Sequence, residues 1–199
     1  TLGSASTELK LTDANTALSL SGIALETGPG SLTLSGALTM SGNSKLNSSG
    51  GTITLNSGGS ASSGTEISLP DTTLVLQNAL SLAGATLKTK NTTLTTNDKA
   101  LSLSSSSILE VDGTQDLSGV SPDNSTTLRL AANSTIDDNA TLTVGTLDLA
   151  NFALTLDNAM AGLSIAQPVT LDASTEQIIS GAADLSLNGG ISATAGTLS

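Results

Sequence analysis

The feature that most constrains this chain is a short triplet, apolar–x–apolar, that recurs along most of its length. It reads Leu9-Lys10-Leu11, Leu18-Ser19-Leu20, Leu32-Thr33-Leu34, Ile53-Thr54-Leu55, Ile67-Ser68-Leu69, Leu74-Val75-Leu76 and Leu80-Ser81-Leu82 in the first part. It continues as Leu101-Ser102-Leu103, Leu128-Arg129-Leu130, Leu142-Thr143-Val144, Leu154-Thr155-Leu156, Leu163-Ser164-Ile165 and Leu185-Ser186-Leu187. A period of two sends both apolar side chains to one side of an extended backbone and the middle residue to the other. Each triplet therefore predicts a very short strand with its aliphatic pair turned inward.

The triplets recur at sevens. Leu11, Leu18, Leu25 and Leu32 share one phase, which resumes at Leu46, Ile53, Ile67 and Leu74 after misses at Thr39 and Ser60. A slip of one residue gives Leu80, Leu87, Leu94, Leu101 and Ile108, and later runs are Leu128, Leu142, Leu149, Leu156 and Leu163, then Leu171, Ile178 and Leu185. A heptad also suggests a coiled coil, but that needs apolar spacings of three and four among good helix formers. Here the second apolar residue is at i+2 and the spacers are Ser, Thr, Gly, Asn and Asp, which suit turns and strands better than helix interiors.

Seven residues fit one side of a coil: a strand, then a corner made by Gly, Asn, Asp or Ser. Three sides make a turn of about 21 residues, the interval separating Leu32, Ile53 and Leu74. The expected fold is all-β: a right-handed, three-sided parallel β-solenoid of about nine coils, roughly 45 Å tall at the usual strand spacing. Residues 1–199 read as one domain. Asn56 to Glu66 lacks a large apolar residue and reads as a loop or widened side. Asp112 to Thr127, with Pro122 and repeated turn signals, reads as a loop or a seam between sub-blocks.

Composition agrees with a narrow, layered interior. Phe152 is the only aromatic residue, and Trp, Tyr, Cys and His are absent, so the core must be built from Leu, Ile, Val and Ala. A net charge of -11 argues against nucleic acid and anionic lipid as partners. Residues 1–100 carry six acids and five lysines, whereas residues 101–199 carry eleven acids and only Arg129. No apolar run is long enough for a membrane-spanning helix. The opening Thr1-Leu2-Gly3, without Met or signal-peptide features, reads as a processed protein or a fragment.

The segment Ser31 to Leu46, SLTLSGALTMSGNSKL, with its echoes ALSLSG at Ala17 to Gly22 and ALSLAG at Ala79 to Gly84, resembles the Leu-Thr-Leu-Ser-Gly repeats of bacterial autotransporter passenger domains. It resembles two-partner-secreted filamentous adhesins more loosely. The resemblance implies an exported right-handed β-helix that serves as a stalk or adhesive rod at the cell surface, with a receptor on a host or other surface.

Catalytic machinery is thin. Without His or Cys the common triads and dyads cannot form, and a single cation in the acidic half is a poor basis for a lyase groove. Asp137-Asp138, Asp112 with Asp116, and Glu110 are the acids that could pair for glycoside hydrolysis or hold Ca²⁺, as in a tailspike-like enzyme, but Asp is favoured in corners for its own sake. No calcium nonapeptide or EF-hand loop occurs. Outward Thr33, Thr54, Thr143, Thr155 and Thr170 raise a third function, an ice- or mineral-binding face; Lys10, Ser19, Ser68, Val75, Ser102, Arg129 and Asp148 share the outward slot. The sequence thus favours a non-enzymatic extracellular rod with no catalytic, cofactor or metal residues. Neither end shows a polar or helical cap, so the expected partner is a further copy stacked end to end, or the continuation of a longer parent chain.

Overall fold

The computed structural model describes residues 7–138, 140–157 and 160–199. Among them there is no helix; 28 short strands pair only in parallel. Every third strand shares a side, which makes a three-sided β-solenoid of about nine coils. The first face begins with Glu8–Leu11, the second with Leu18–Ser21 and the third with Ala24–Gly28. Leu32 stands beside Ile53, and Ile53 beside Leu74, each step being 21 residues. The coil length flexes around that value, from 19 residues between Leu109 and Leu128 to 24 between Leu154 and Ile178.

The triplets behave as period two requires. Leu32, Ile53, Leu80, Leu82, Leu128, Leu154, Leu163 and Ile165 are fully buried, whereas Thr33, Thr54, Ser164 and Arg129 between them face outward. One aliphatic cluster runs through the coils, and Leu9, Leu11, Leu185 and Leu187 pack on it half-buried near its two ends. Burying each such side chain is worth about 1.5–3 kcal/mol, and the stack repeats that gain at every layer.

Corners are closed by small hydroxyl residues turned inward. Between the second and third faces Ser44, Thr65, Ser107 and Thr126 are buried in successive coils, with Ala85 taking the same slot. Ser44, Ser107 and Thr126 donate their hydroxyls to the carbonyls of Leu20, Leu82 and Leu103 in the preceding coil, at 3.2, 3.0 and 3.1 Å. Between the third and first faces Thr92 and Ser134 do the same for Leu69 and Val111, at 2.6 and 3.2 Å. A buried carbonyl is thereby satisfied and a turn is tied to its neighbour by one short side chain.

Three expectations shift. The Asn56 to Glu66 stretch is a regular side: Gly59–Ala61 pairs with Leu38–Met40 on one edge and Leu80–Leu82 on the other. The miss at Ser60 is a slip of one residue, since Gly59 and Ala61 stand beside the buried Leu80 and Leu82 and Ser60 faces out; a Cβ at Gly59 would lie 2.3 Å from the Leu38 carbonyl oxygen. The nearby miss at Thr39 is a slip of phase, since Leu38 and Met40 are the buried pair and Thr39 is exposed. Ile108 points outward, and Leu109 and Val111 fill the core instead. The preceding corner absorbs Ser105 and Ser106, both with positive φ (54° and 64°), and seats Ser107 inside, which moves the inward slot one residue along.

The 112–127 stretch contributes the strands Thr114–Asp116 and Val120–Pro122. Here the hydrogen-bonded sheet of the first face is interrupted, and the second and third faces are interrupted in the coils that follow. At the first interruption Gln115 stands in the aliphatic stack, 1% exposed. Its Nε2 donates to the Thr114 carbonyl at 2.8 Å and its Oε1 accepts the Thr92 backbone N–H at 3.3 Å, so the amide takes up a strand-edge donor.

The inward and outward assignment is tested at one strand. Leu154→Asp places an unpaired carboxylate in the stack and is expected to cost several kcal/mol, whereas Thr155→Asp costs about 1 kcal/mol or less. Equal loss of melting temperature in the two variants contradicts the assignment.

Candidate functional surfaces

The three faces carry different chemistry. The third is ionic and holds four of the six cations of the chain, Lys45, Lys88, Lys90 and Arg129. Lys88 lies between Glu66 of the preceding coil at 2.9 Å and Glu110 of the next at 3.9 Å. Lys45 also reaches Glu66 at 3.4 Å, Lys90 reaches Asp112 at 2.9 Å and Arg129 reaches Asp148 at 2.9 Å. Each pair joins neighbouring coils through partners about one turn apart in sequence. Separately they are worth about 0–1 kcal/mol, but a shared network orders both side chains of several pairs at once. Burial alone would push the Glu66 carboxyl up, but Lys88 and Lys45 outweigh it and hold the group below its ordinary value. The hydrogen bond to Glu66 raises the Lys88 ammonium.

The first face is a hydroxyl surface. Ser31, Thr52, Thr73 and Thr93 occupy one outward slot in four consecutive coils, and beyond the interruption of the sheet Thr114, Thr135 and Thr155 share a slot in the next three. The Ser31 hydroxyl accepts the Thr52 backbone N–H at 3.1 Å. A second column begins Thr33, Thr54, Val75 and Thr95, so four adjoining coils present two uncharged columns side by side. Of the threonines singled out in sequence, Thr33, Thr54 and Thr155 lie here, Thr143 lies on the second face and Thr170 on the third. The signal for the column was present at Ser31, Thr52 and Thr73 as the hydroxyl residue just before an apolar pair, but only the register of the coils brings those residues together.

Of the acids considered for catalysis or calcium, Asp116 and Asp137 stand as register partners on adjoining strands of the first face, and the others lie apart from them. Asp137 is outward on the first face, whereas Asp138 is turned in at the corner, 4% exposed, and accepts the Ala140 N–H at 3.0 Å. Adjacent in sequence, the two carboxylates point apart. Asp112 lies on the third face beside Lys90; Asp116 lies on the first and caps the Ser118 N–H at 2.8 Å. Glu110 faces Lys88. Among the described residues no group of three or more metal-ligating side chains comes together.

The acid that sequence reading passed over is Glu176, 6% exposed at the corner between the third and first faces. Its Oε2 accepts the backbone N–H groups of Asp172 and Ala173 at 2.7 and 3.1 Å, and its Oε1 accepts that of Asn151 in the preceding coil at 3.3 Å. Burial opposes its ionisation, but the three N–H groups prevail and hold the carboxyl below its ordinary value. Neither family models nor searches of curated proteins and solved structures give a match to this chain.

Both glutamates set an acid limit to stability. A depressed folded-state value means the stabilisation is present above the unfolded value of about 4.3 and is lost as pH falls through the folded one. The melting temperature is expected to drop steeply below about pH 4, and Glu66→Gln should melt lower at pH 7 while losing less on acidification. Parallel pH profiles for the variant and the native chain would contradict the assignment for Glu66.

Proposed function

We propose that this chain is a structural or adhesive rod segment of an exported bacterial surface protein or extracellular filament. The observation that carries the reading is the single aliphatic stack that continues through successive coils, reinforced outside by coil-to-coil ion pairs. Such an arrangement gives length and stiffness from very few residue types, and each coil presents its edge to the next. The Leu-Thr-Leu-Ser-Gly texture supports the same reading through its likeness to autotransporter passengers. The engagement of Glu110 and Asp112 by lysines supports a non-enzymatic role for those two acids.

In this reading the rod extends by coil-on-coil stacking, either onto a second copy or onto further coils of a longer parent. The last coil leaves Ile191 and Leu198 exposed at 43% and 46%, apolar surface of the kind the next coil would cover. The reading is tested on the producing cells: antibody raised against this chain should label intact, unpermeabilised cells or their shed filaments. Labelling that requires permeabilisation would refute an exported rod.

A second reading rests on the hydroxyl columns of the first face. An uncharged array of two columns over four coils, repeating at the strand spacing of about 4.8 Å, suits the ordered oxygens of ice or a mineral surface. Inhibition of ice recrystallisation by the chain, abolished in Thr73→Lys/Thr93→Lys, would support it; no inhibition by the native chain removes ice as the ligand.

A further inference from the structure

Along the edge between the third and first faces the corners take two residues at 71–72, two at 91–92 and one at 113, then lengthen to three at 131–133, four at 149–152 and five at 172–176. That long corner belongs to the coil with the 24-residue step, and it stands over a cleft of about 530 Å³. Three successive coils line the cleft: Asn133 from the first, Asn151 and Phe152 from the second, Ser174, Thr175 and Gln177 from the third. Phe152, the only aromatic residue of the chain, packs half-buried on the core here.

The polar groups at this cleft are unspent. At other corners and strand ends the asparagines tie coil to coil: Asn78 donates to the Asn56 carbonyl at 2.8 Å, Asn97 to that of Leu76 at 3.0 Å and Asn91 to the Asp71 carboxylate at 3.0 Å. Asn133 accepts the Ala153 N–H through Oδ1 at 2.9 Å, which fixes the amide and leaves its NH₂ as the free end. The side-chain amides of Asn151 and Gln177 and the hydroxyls of Ser174 and Thr175 bond to no other described residue. The floor is rigid, because Glu176 clamps the two corners together and spends its carboxylate on three backbone N–H groups. Ala150 and Asn151 are both held at positive φ, 50° and 71°, a conformation disfavoured for alanine that the surrounding structure maintains.

We propose that this cleft binds the end of a neutral carbohydrate chain. An aromatic ring offers a face for the apolar C–H side of a sugar, and amides and hydroxyls pair with sugar hydroxyls as donors and acceptors. No cation lines the cleft to hold a uronate or sialate, and residues 101–199 carry eleven acids against Arg129, so acidic glycans are repelled. The residues lining the cleft bring amides, hydroxyls and a ring but no carboxylate, which suits binding rather than cleavage. The proposal goes beyond the rod and is separable from it: a rod without a sugar site remains a rod.

The chain supplies its own reporter. With no Trp, Tyr or His, the aromatic proton region recorded in D₂O contains Phe152 alone. Titration with named neutral oligosaccharides (cellotetraose, mannotetraose, galactotetraose and chitotetraose) should shift those resonances for at least one of them. An acidic control, tetragalacturonate, should leave them unmoved. Gln177→Ala, on the surface, should weaken the responding sugar about tenfold, and Phe152→Leu, which keeps an aliphatic group on the core, should lose it in a ligand-observed measurement while retaining the native circular dichroism. The proposal is overturned if no neutral sugar moves the ring at about 10 mM, a concentration about tenfold above a Kd of about 1 mM. Tetragalacturonate binding as well as the neutral sugars, or unchanged affinity in both variants, overturns it too.

Discussion

Everything in this molecule depends on the inward aliphatic pair of each short strand. A strand of three or four residues has almost no stability alone, and a parallel pair needs a long crossover. Coiling solves both difficulties, because the crossover is itself two further strands and the three inner faces cover one another. Leu32, Ile53 and Leu74 touch along the axis as well as across it, so a leucine in one coil supports layers above and below. The constraint acts on the corners too: a buried carbonyl there must find a donor, and Ser44, Ser107, Thr126, Thr92 and Ser134 provide it from the adjacent coil.

Once the interior is fixed, the outside is free to differ by face. Ionic partners on the third face, hydroxyl columns on the first and a widened corner at 172–176 all rest on the same core. Function in such a scaffold belongs to outward slots and corner lengths. The Phe152 cleft illustrates this: it arises where a corner gains residues while Leu154 and Ile178 beneath it keep their register.

Much of this was legible in the residues. Period two with Ser or Thr between leucines gave the strand and its buried side, as Leu154-Thr155-Leu156 shows. The seven-residue spacing gave three sides. What escaped was anything that depends on register between coils. Ile108 was placed inside because counting in sevens cannot see a corner that takes in Ser105 and Ser106 at positive φ. Ala61 was missed as a core position because a strand with small inward residues lacks the apolar signature, although Met40 and Leu82 flank its slot. Lys88, Glu66 and Glu110 are one coil apart and share no local motif, so their network exists only after folding. Glu176 looked like any acid in a turn until three backbone N–H groups converged on it.

The coil-on-coil stack is tested most directly by distances along one column. The chain has no cysteine, so spin labels can be attached at engineered pairs without other changes. With one label at position 155 and the other at 93, 73 or 52, double electron–electron resonance should give narrow distributions whose means grow by about 4.8 Å per coil from 93 to 73 to 52. A series that plateaus, broadens or grows at another rate would contradict a solenoid in which positions 93, 73 and 52 share one slot.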